Sequence, residues 1–259
     1  MADNSMIIGQ NNGFKIENWI IEEINKGCIS DMDIDLQPAI YAMGHAISVD
    51  DSFSAFKKEG RGLSKKSDIT VLKNQQPFSR FSLKSGTGNS VHQENIYQIV
   101  DFLREIGADE NEIDALLFYH WGDGSRDGSA PVSSRMTSHE IKTKHPEVIA
   151  TVDALFERFK LQIVARAMRG DLDGTEPQYL MYGGIAKTKK LFLVTSIEKV
   201  LEFHNGLPAD SPTIQIGHLN FQNYHRCLQG QDLTSNKTRN DVQFKWTNMI
   251  RDMAQLSDV

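Results

Sequence analysis

The clearest alternation of apolar and polar positions lies between residues 68 and 84. Segments 68–72 and 80–84 both repeat with a period of two, which is typical of strands with one buried face. Residues 73–77 between them are rich in turn formers, and this connection is short enough for a hairpin. The pattern therefore predicts two neighbouring antiparallel strands.

Apolar positions with helical spacing predict helices on both sides of this hairpin. Residues 14–25 place their large apolar side chains on or near one face. A second helix is predicted over 91–106, where Ser90 and Gln93 have the spacing of a capping box. Further helices are predicted over 112–118, 146–169 and 197–204.

Later alternating segments add strands to this pattern. They cover residues 178–182, 191–195, 213–221, 224–228 and 241–246. A helix, a hairpin, another helix and then a mixed region indicate an α/β fold with a mixed β-sheet flanked by helices.

The composition is that of a folded globular protein. Of 259 residues, 39% are hydrophobic and 24% are charged, and 13 Phe with 3 Trp exclude a disordered chain. No apolar run approaches the roughly 20 residues of a membrane helix, and the first residues lack the basic segment of a secretory signal. Cys28 and Cys227 favour free thiols in a reducing compartment. We expect a cytoplasmic protein without a membrane partner.

The net charge of -6 argues against a nucleic-acid partner only until it is divided along the chain. Residues 57–84 hold eight basic and two acidic side chains, and residues 213–251 hold five and two. The rest of the chain has 15 basic and 30 acidic residues. Two basic segments in an acidic body are typical of a phosphate-facing surface, although solvated loops explain the charge equally well.

Candidate catalytic residues lie on the predicted hairpin. Ser67 and Asp68 belong to one strand, and Ser82, Leu83 and Lys84 belong to the other. If the strands pair, the Asp68 carboxylate and the Leu83 carbonyl can hold a hard divalent cation. Lys84 can then position or help to deprotonate a water that attacks a phosphodiester. The alternative is a surface ion pair across the hairpin.

This motif resembles that of the PD-(D/E)XK nuclease superfamily, and more closely that of small monomeric type II restriction endonucleases of the MspI type. In that group Ser/Thr-Asp is followed by a spacer, an amide residue, any residue and Lys. Here Ser67-Asp68 is followed by thirteen residues and Ser82-Leu83-Lys84. The resemblance implies a monomeric, Mg²⁺-dependent endonuclease of double-stranded DNA with a restriction-endonuclease-like sheet. It also implies a cognate DNA methyltransferase as its genetic partner in a restriction–modification system.

Supporting carboxylates are needed because Ser82 departs from the motif. The superfamily has Glu or Asp at this position and the similar branch has Gln or Asn, whereas a hydroxyl cannot neutralise a cation. Residues 13–17 look like the first helix of the family, which implies that Glu17 lies near the metal. Glu94, or Gln93 as a neutral ligand, can compensate for Ser82. The alternative for Glu94 is a solvated acid in the first turn of a helix.

Residues 239–245 look like the C-terminal strand with which the family reads bases. The resemblance implies a catalytic region over 1–136 and a C-terminal DNA-recognition β-region over 137–259, unless both form one compact domain. A Gln bonds an adenine edge bidentately, and Lys or Arg prefers guanine. The candidate DNA contacts are Gln222, Arg226, Arg239, Gln243 and Lys245, with Lys65 and Lys66 from the first basic segment. The alternative is the polar side of an amphipathic edge strand.

Two other functions stay open. A repair or defence-effector nuclease of loose specificity would use the same catalytic residues. A DNA-binding protein would arise if the Ser82 departure has removed catalysis and left recognition.

Overall fold

The computed structural model describes residues 12–44, 47–57, 66–86, 89–170, 174–186, 189–206, 214–223 and 239–259. The chain divides into two compact units that interleave in sequence. The first unit comprises Met1–Asn89, Met168–Glu202 and Asn248–Val259, and the second comprises Ser90–Ala167 and Phe203–Thr247. These units differ from the predicted regions 1–136 and 137–259, whose catalytic and recognition roles stay predictions.

The described ranges form nine α-helices and nine strands. The helices are α1 (Asn12–Ile24), α2 (Gln37–Ala42), α3 (Ile96–Glu105), α4 (Glu110–Trp121), α5 (Ser138–Lys144), α6 (Pro146–Arg158), α7 (Lys160–Arg169), α8 (Ile197–Asn205) and α9 (Met249–Leu256). The strands are β1 (Phe53–Lys57), β2 (Ile69–Lys73), β3 (Gln76–Ser85), β4 (Ser90–Asn95), β5 (Tyr179–Ala186), β6 (Lys189–Ser196), β7 (Gln215–Ile216), β8 (Leu219–Gln222) and β9 (Asp241–Trp246). The predicted α/β class with a mixed sheet and flanking helices is confirmed.

The first unit is built on a five-stranded sheet in the order β1-β2-β3-β5-β6. Neighbouring strands are antiparallel except β3 and β5, which are parallel. One face carries Ile69, Val71, Phe81 and Leu83, which are buried in one core with Ile20 of α1. Burying each such side chain stabilises the fold by about 1.5–3 kcal/mol. The alternation along β2 and β3 therefore determines which face of the sheet packs against α1.

The predicted hairpin is confirmed, and its turn explains its register. Asn74 and Gln75 connect β2 to β3 with φ of 51° and 66°, as in the two-residue type I′ turn whose twist matches antiparallel strands. The Asn74 side chain accepts a hydrogen bond from the Ser52 N–H at 2.8 Å and donates one to Asp51 at 2.7 Å. These bonds tie the turn to the residues that precede β1.

The second unit contains an antiparallel four-stranded sheet in the order β4-β9-β8-β7. Val242, Phe244 and Trp246 alternate along β9 and are fully buried. Predicted strands 213–221 and 241–246 correspond to β7, β8 and β9, whereas predicted strand 224–228 lies outside the described residues. Gly217 turns β7 into β8 with φ of 61°, where a Cβ would lie 2.5 Å from the His204 carbonyl oxygen. That position therefore requires glycine.

Two predicted helices are wrong in part. Residues 90–95 form β4, because they pair with β9, and the capping box lies at Asn95 and Gln98. The helix predicted over 146–169 is interrupted at Phe159, which has φ of −109° and separates α6 from α7. None of the helices in the described part of the chain has the length and apolar character needed to cross a membrane.

Candidate functional site

Asp68 is held in one orientation by β3. Its N–H donates to the Phe81 carbonyl at 3.0 Å, immediately before the register of β2 and β3 begins at Ile69 and Phe81. Its Oδ2 accepts hydrogen bonds from Ser82 Oγ at 3.0 Å and from the Leu83 N–H at 2.6 Å. Both bonds converge on Oδ2, and Oδ1 accepts none from any described residue. The carboxylate is thus fixed with one oxygen available.

Lys84 lies on the same face of the sheet as Asp68. The Asp68 carboxylate is bonded to Ser82 Oγ, and residues two apart along a strand, such as Ser82 and Lys84, share a face. Ser82 is 3% exposed, and Lys84 is partly exposed beyond it. Within the described ranges Lys84 forms neither a hydrogen bond nor an ion pair. Asp68, Ser82 and Lys84 therefore share one face, and no ion pair joins Asp68 to Lys84 among the described residues. Their catalytic role stays a prediction.

The oxygen atoms around Asp68 suit a hard cation whose remaining ligands are oxygens from outside the protein. The N–H and C=O of one strand residue point to the same side, so the Leu83 carbonyl faces the side on which its N–H meets Asp68. Mg²⁺ commonly uses one or two carboxylates together with waters and phosphate oxygens. Across the described residues no three His, Cys, Asp or Glu side chains form a metal-binding group. Asp68 Oδ1 and the Leu83 carbonyl are thus two oxygens of the kind that a hard cation takes as ligands, and the Mg²⁺ site stays a prediction.

Ser67 and Glu17 contact residues other than Asp68. Ser67 is buried, and its Oγ donates to the Ile69 carbonyl at 3.3 Å, which supports the start of β2. Glu17 on α1 forms an ion pair with Lys57 on β1. The role near a metal predicted for Glu17 stays a prediction.

Glu94 belongs to a buried polar network in the second unit. Its side chain is 2% exposed and contacts His92 Nε2 at 2.8 Å and Arg166 Nη2 at 2.9 Å. Arg166 Nε reaches both carboxylate oxygens at 3.2 Å, and the guanidinium covers the Phe102 ring. Burial opposes ionisation, but the hydrogen bonds and charges of His92 and Arg166 outweigh it and lower the pKa of Glu94.

This network corrects the prediction for Glu94. The residue lies on β4 and not in the first turn of a helix, because β4 pairs with β9. Both of its carboxylate oxygens are bonded to protein partners. Both oxygens are thus engaged within the second unit, and the compensating role predicted for Glu94 stays a prediction.

The exposed side of the four-stranded sheet carries a row of amides. Gln243 of β9 lies in register between Gln93 of β4 and Gln222 of β8. Lys245 follows on the same face, opposite Asn220 of β8. We call these five residues the amide face. The sequence pattern does not identify Gln93 and Asn220 as members, because it assigns Gln93 to a helix and Asn220 has no motif of its own.

Arg239 contacts the end of α4 and the loop that follows it. Its guanidinium donates to the Gly128 carbonyl, lies 3.5 Å from the buried Asp123 carboxylate and covers the Trp121 ring at 5.2 Å. These contacts anchor the loop, and the base contact predicted for Arg239 stays a prediction. Lys66 is partly exposed just before Asp68, whereas Lys65 and Arg226 lie outside the described residues.

The fold and the site define an α/β protein with a carboxylate, a hydroxyl and a lysine on one face of a strand pair. No protein-family model matches the chain, and no curated protein is significantly similar to it. Function is therefore inferred from the residues of this chain.

Proposed function

We propose that this protein is a Mg²⁺-dependent, sequence-specific endonuclease of double-stranded DNA. The observation that carries the proposal is the arrangement of Asp68, Ser82 and Lys84 on one face of the β2–β3 pair. The resemblance of the motif to the PD-(D/E)XK superfamily supports the same chemistry. The protein would act as a monomer in a restriction–modification system, with a DNA methyltransferase that protects host sites.

Each catalytic residue has a separate task in this proposal. Asp68 Oδ1 and the Leu83 carbonyl hold Mg²⁺, which when bound stabilises negative charge on the phosphate oxygens. The Lys84 ammonium attracts the scissile phosphate and orients the attacking water. Ser82 donates to Asp68 Oδ2 at 3.0 Å, so this position supplies orientation where the superfamily has a second acid.

Recognition is assigned to the amide face. Gln222 and Gln243 carry donors and acceptors that match base edges, and Lys245 carries a cation suited to guanine or phosphate. Gln222 and Lys245 form no side-chain hydrogen bond with another residue that the structure describes. Their groups are therefore available to DNA without breaking an internal contact.

Cleavage of phage DNA in Mg²⁺ tests the proposal. The protein should give discrete fragments on a gel, and Asp68→Asn should cut about 10²–10³-fold more slowly while still binding DNA. Asp50→Asn is a matched control, because Asp50 is an exposed acid of the same unit, and it should cut like the wild type. Cleavage by Asp68→Asn at the wild-type rate would overturn the assignment.

A DNA-binding protein without nuclease activity is the second candidate. It is favoured by the hydroxyl at Ser82, because the superfamily has an acid at this position. A specific gel shift without cleavage would establish this function. A smear of fragments would instead indicate the nuclease of loose specificity.

A further inference from the structure

We infer that Asp241 and Gln93 orient the side-chain amide of Gln243 and thereby determine which base edge Gln243 reads. This inference rests on the DNA recognition proposed for the amide face. Asp241 and Gln93 act as positioning residues, because their effect on the base passes through Gln243.

The three side chains form a chain of hydrogen bonds across two strands. Gln93 Nε2 donates to Asp241 Oδ2 at 2.8 Å, and Gln243 Nε2 donates to Gln93 Oε1 at 2.7 Å. Gln93 and Gln243 are directly opposite each other, and Asp241 lies two residues before Gln243 on the same face of β9. The contacts therefore connect neighbours that the β4–β9 register already brings together.

The direction of these bonds follows from the carboxylate. An ionised carboxylate only accepts hydrogen bonds, whereas an amide has one accepting end and one donating end. Asp241 therefore requires the NH₂ end of Gln93, which turns the Gln93 oxygen toward Gln243. That oxygen in turn requires the NH₂ end of Gln243. One acid thus selects one of the two orientations for both amides.

The fixed amide leaves a defined pattern for a ligand. After the bond to Gln93, Gln243 keeps one N–H and its Oε1, which form no other hydrogen bond with the described residues. A donor beside an acceptor matches N7 and N6–H₂ of adenine, and a reversed amide would offer these groups in the opposite order. Orientation of Gln243 is therefore a determinant of specificity that the identity of the residue alone does not supply.

The position of Asp241 is otherwise unfavourable for DNA binding. Its negative charge lies beside the amide face and opposes an approaching phosphate backbone. Removing the charge should therefore raise or preserve affinity for DNA in general, while the preference at one base pair falls. A merely structural role would instead lower affinity for every sequence.

Paired substitutions test the chain of bonds directly. Asp241→Asn can present either end of its amide to Gln93, so both amides lose their fixed orientation. Gln93→Leu removes the link. In the double variant Asp241→Asn, Gln93→Glu, the carboxylate introduced at position 93 accepts from both neighbours, which again requires the NH₂ end of Gln243. The double variant should therefore regain the base-pair preference that Asp241→Asn and Gln93→Leu each lose.

The measurement is selection from duplexes with a randomised central segment, followed by sequencing of the bound fraction. Every protein carries Asp68→Asn and binds without added Mg²⁺, so that bound duplexes stay intact. Asp241→Asn and Gln93→Leu should each lower the preference at one base pair by about 5- to 150-fold. Asp101→Asn removes an exposed acid of α3 in the same unit and should leave the preference unchanged.

The outcomes separate this inference from the proposed function. Loss in the two single variants with recovery in the double variant supports the inference. An unchanged preference in Asp241→Asn, or an equal loss of affinity for all duplexes, overturns it while recognition stands. If the protein with intact Asp241 and Gln93 enriches no sequence, the proposed recognition fails and the inference fails with it.

Discussion

The two sheets hold their polar side chains in different ways. In the five-stranded sheet, Asp68 is fixed partly by a backbone donor, the Leu83 N–H at 2.6 Å. In the four-stranded sheet, Gln243 is fixed only by other side chains, Gln93 and, through it, Asp241. Neither strand pairing nor backbone geometry decides which end of the Gln243 amide faces a ligand.

This difference separates a fixed site from an adjustable one. A backbone donor is present whatever side chain occupies position 83, so the Asp68 carboxylate keeps its orientation through many substitutions. The amide face can be reoriented by changing one acid, and its amides lie on a solvent-facing surface where substitutions cost little stability. The first arrangement suits chemistry that must stay constant, and the second suits specificity that can change.

Replacing Lys84 should have the largest effect. Lys84→Ala removes the ammonium beside Asp68 and should lower the single-turnover cleavage rate by about 10²–10⁴-fold, with little change in DNA affinity. Lys73→Ala is the matched control, because Lys73 lies at the turn end of the same strand pair. Cleavage rates and gel-shift affinities should be measured for both. Equal losses in the two variants would show that Lys84 has no special role.

The β2–β3 pair was predictable because its pairing is local. The strands are joined by a two-residue turn, so alternation within residues 68–84 was enough to bring Asp68 close to Ser82. Ion pairing between Asp68 and Lys84 could not be decided from spacing alone. It depends on where Ser82 and the Leu83 N–H direct the carboxylate.

The amide face was only half predictable because its pairing is distant in sequence. Gln243 and Lys245 follow from alternation along β9, but Gln93 reaches Gln243 only through pairing with a strand 150 residues away. Residues 91–95 continue a helical pattern that tertiary pairing overrides. The contacts of Arg239 with Asp123 and Gly128 could not be predicted for the same reason, since these residues are more than 100 positions away in sequence.

Glu94 should affect stability and not metal dependence. Glu94→Gln removes the buried negative charge that pairs with Arg166, and it should lower the free energy of unfolding by about 3–5 kcal/mol at pH 7. Glu198→Gln is a matched control, since Glu198 pairs with Arg169 at 2.7 Å but is 66% exposed, and it should cost less than about 1 kcal/mol. Urea unfolding measures both. A changed Mg²⁺ requirement for cleavage by Glu94→Gln would instead support the metal-binding role predicted for Glu94.

The pH dependence of the same variant gives a second measurement. The pKa of Glu94 is lowered from its ordinary value of 4.5, so the unfolded chain takes up the proton first as the pH falls. The contribution of Glu94 is therefore complete above about pH 4.5 and is lost as the pH falls through the lower native pKa. The difference in unfolding free energy between wild type and Glu94→Gln should shrink as the pH falls below 4.5.

Ser82 should give the smallest effect and the sharpest test of the comparison. Ser82→Ala removes one of two hydrogen-bond donors to Asp68 Oδ2, and the Leu83 N–H still holds the carboxylate. The free energy of unfolding should therefore fall by about 0.5–1.5 kcal/mol. Cleavage should slow by less than about tenfold, with a modestly raised Mg²⁺ requirement. Ser79→Ala is the matched control, because Ser79 is 2% exposed on the same strand and its Oγ has no hydrogen-bond partner in the described structure. A loss in Ser82→Ala as large as that of Lys84→Ala would mean that the backbone donor does not suffice, and the contrast between the two sheets would then fail.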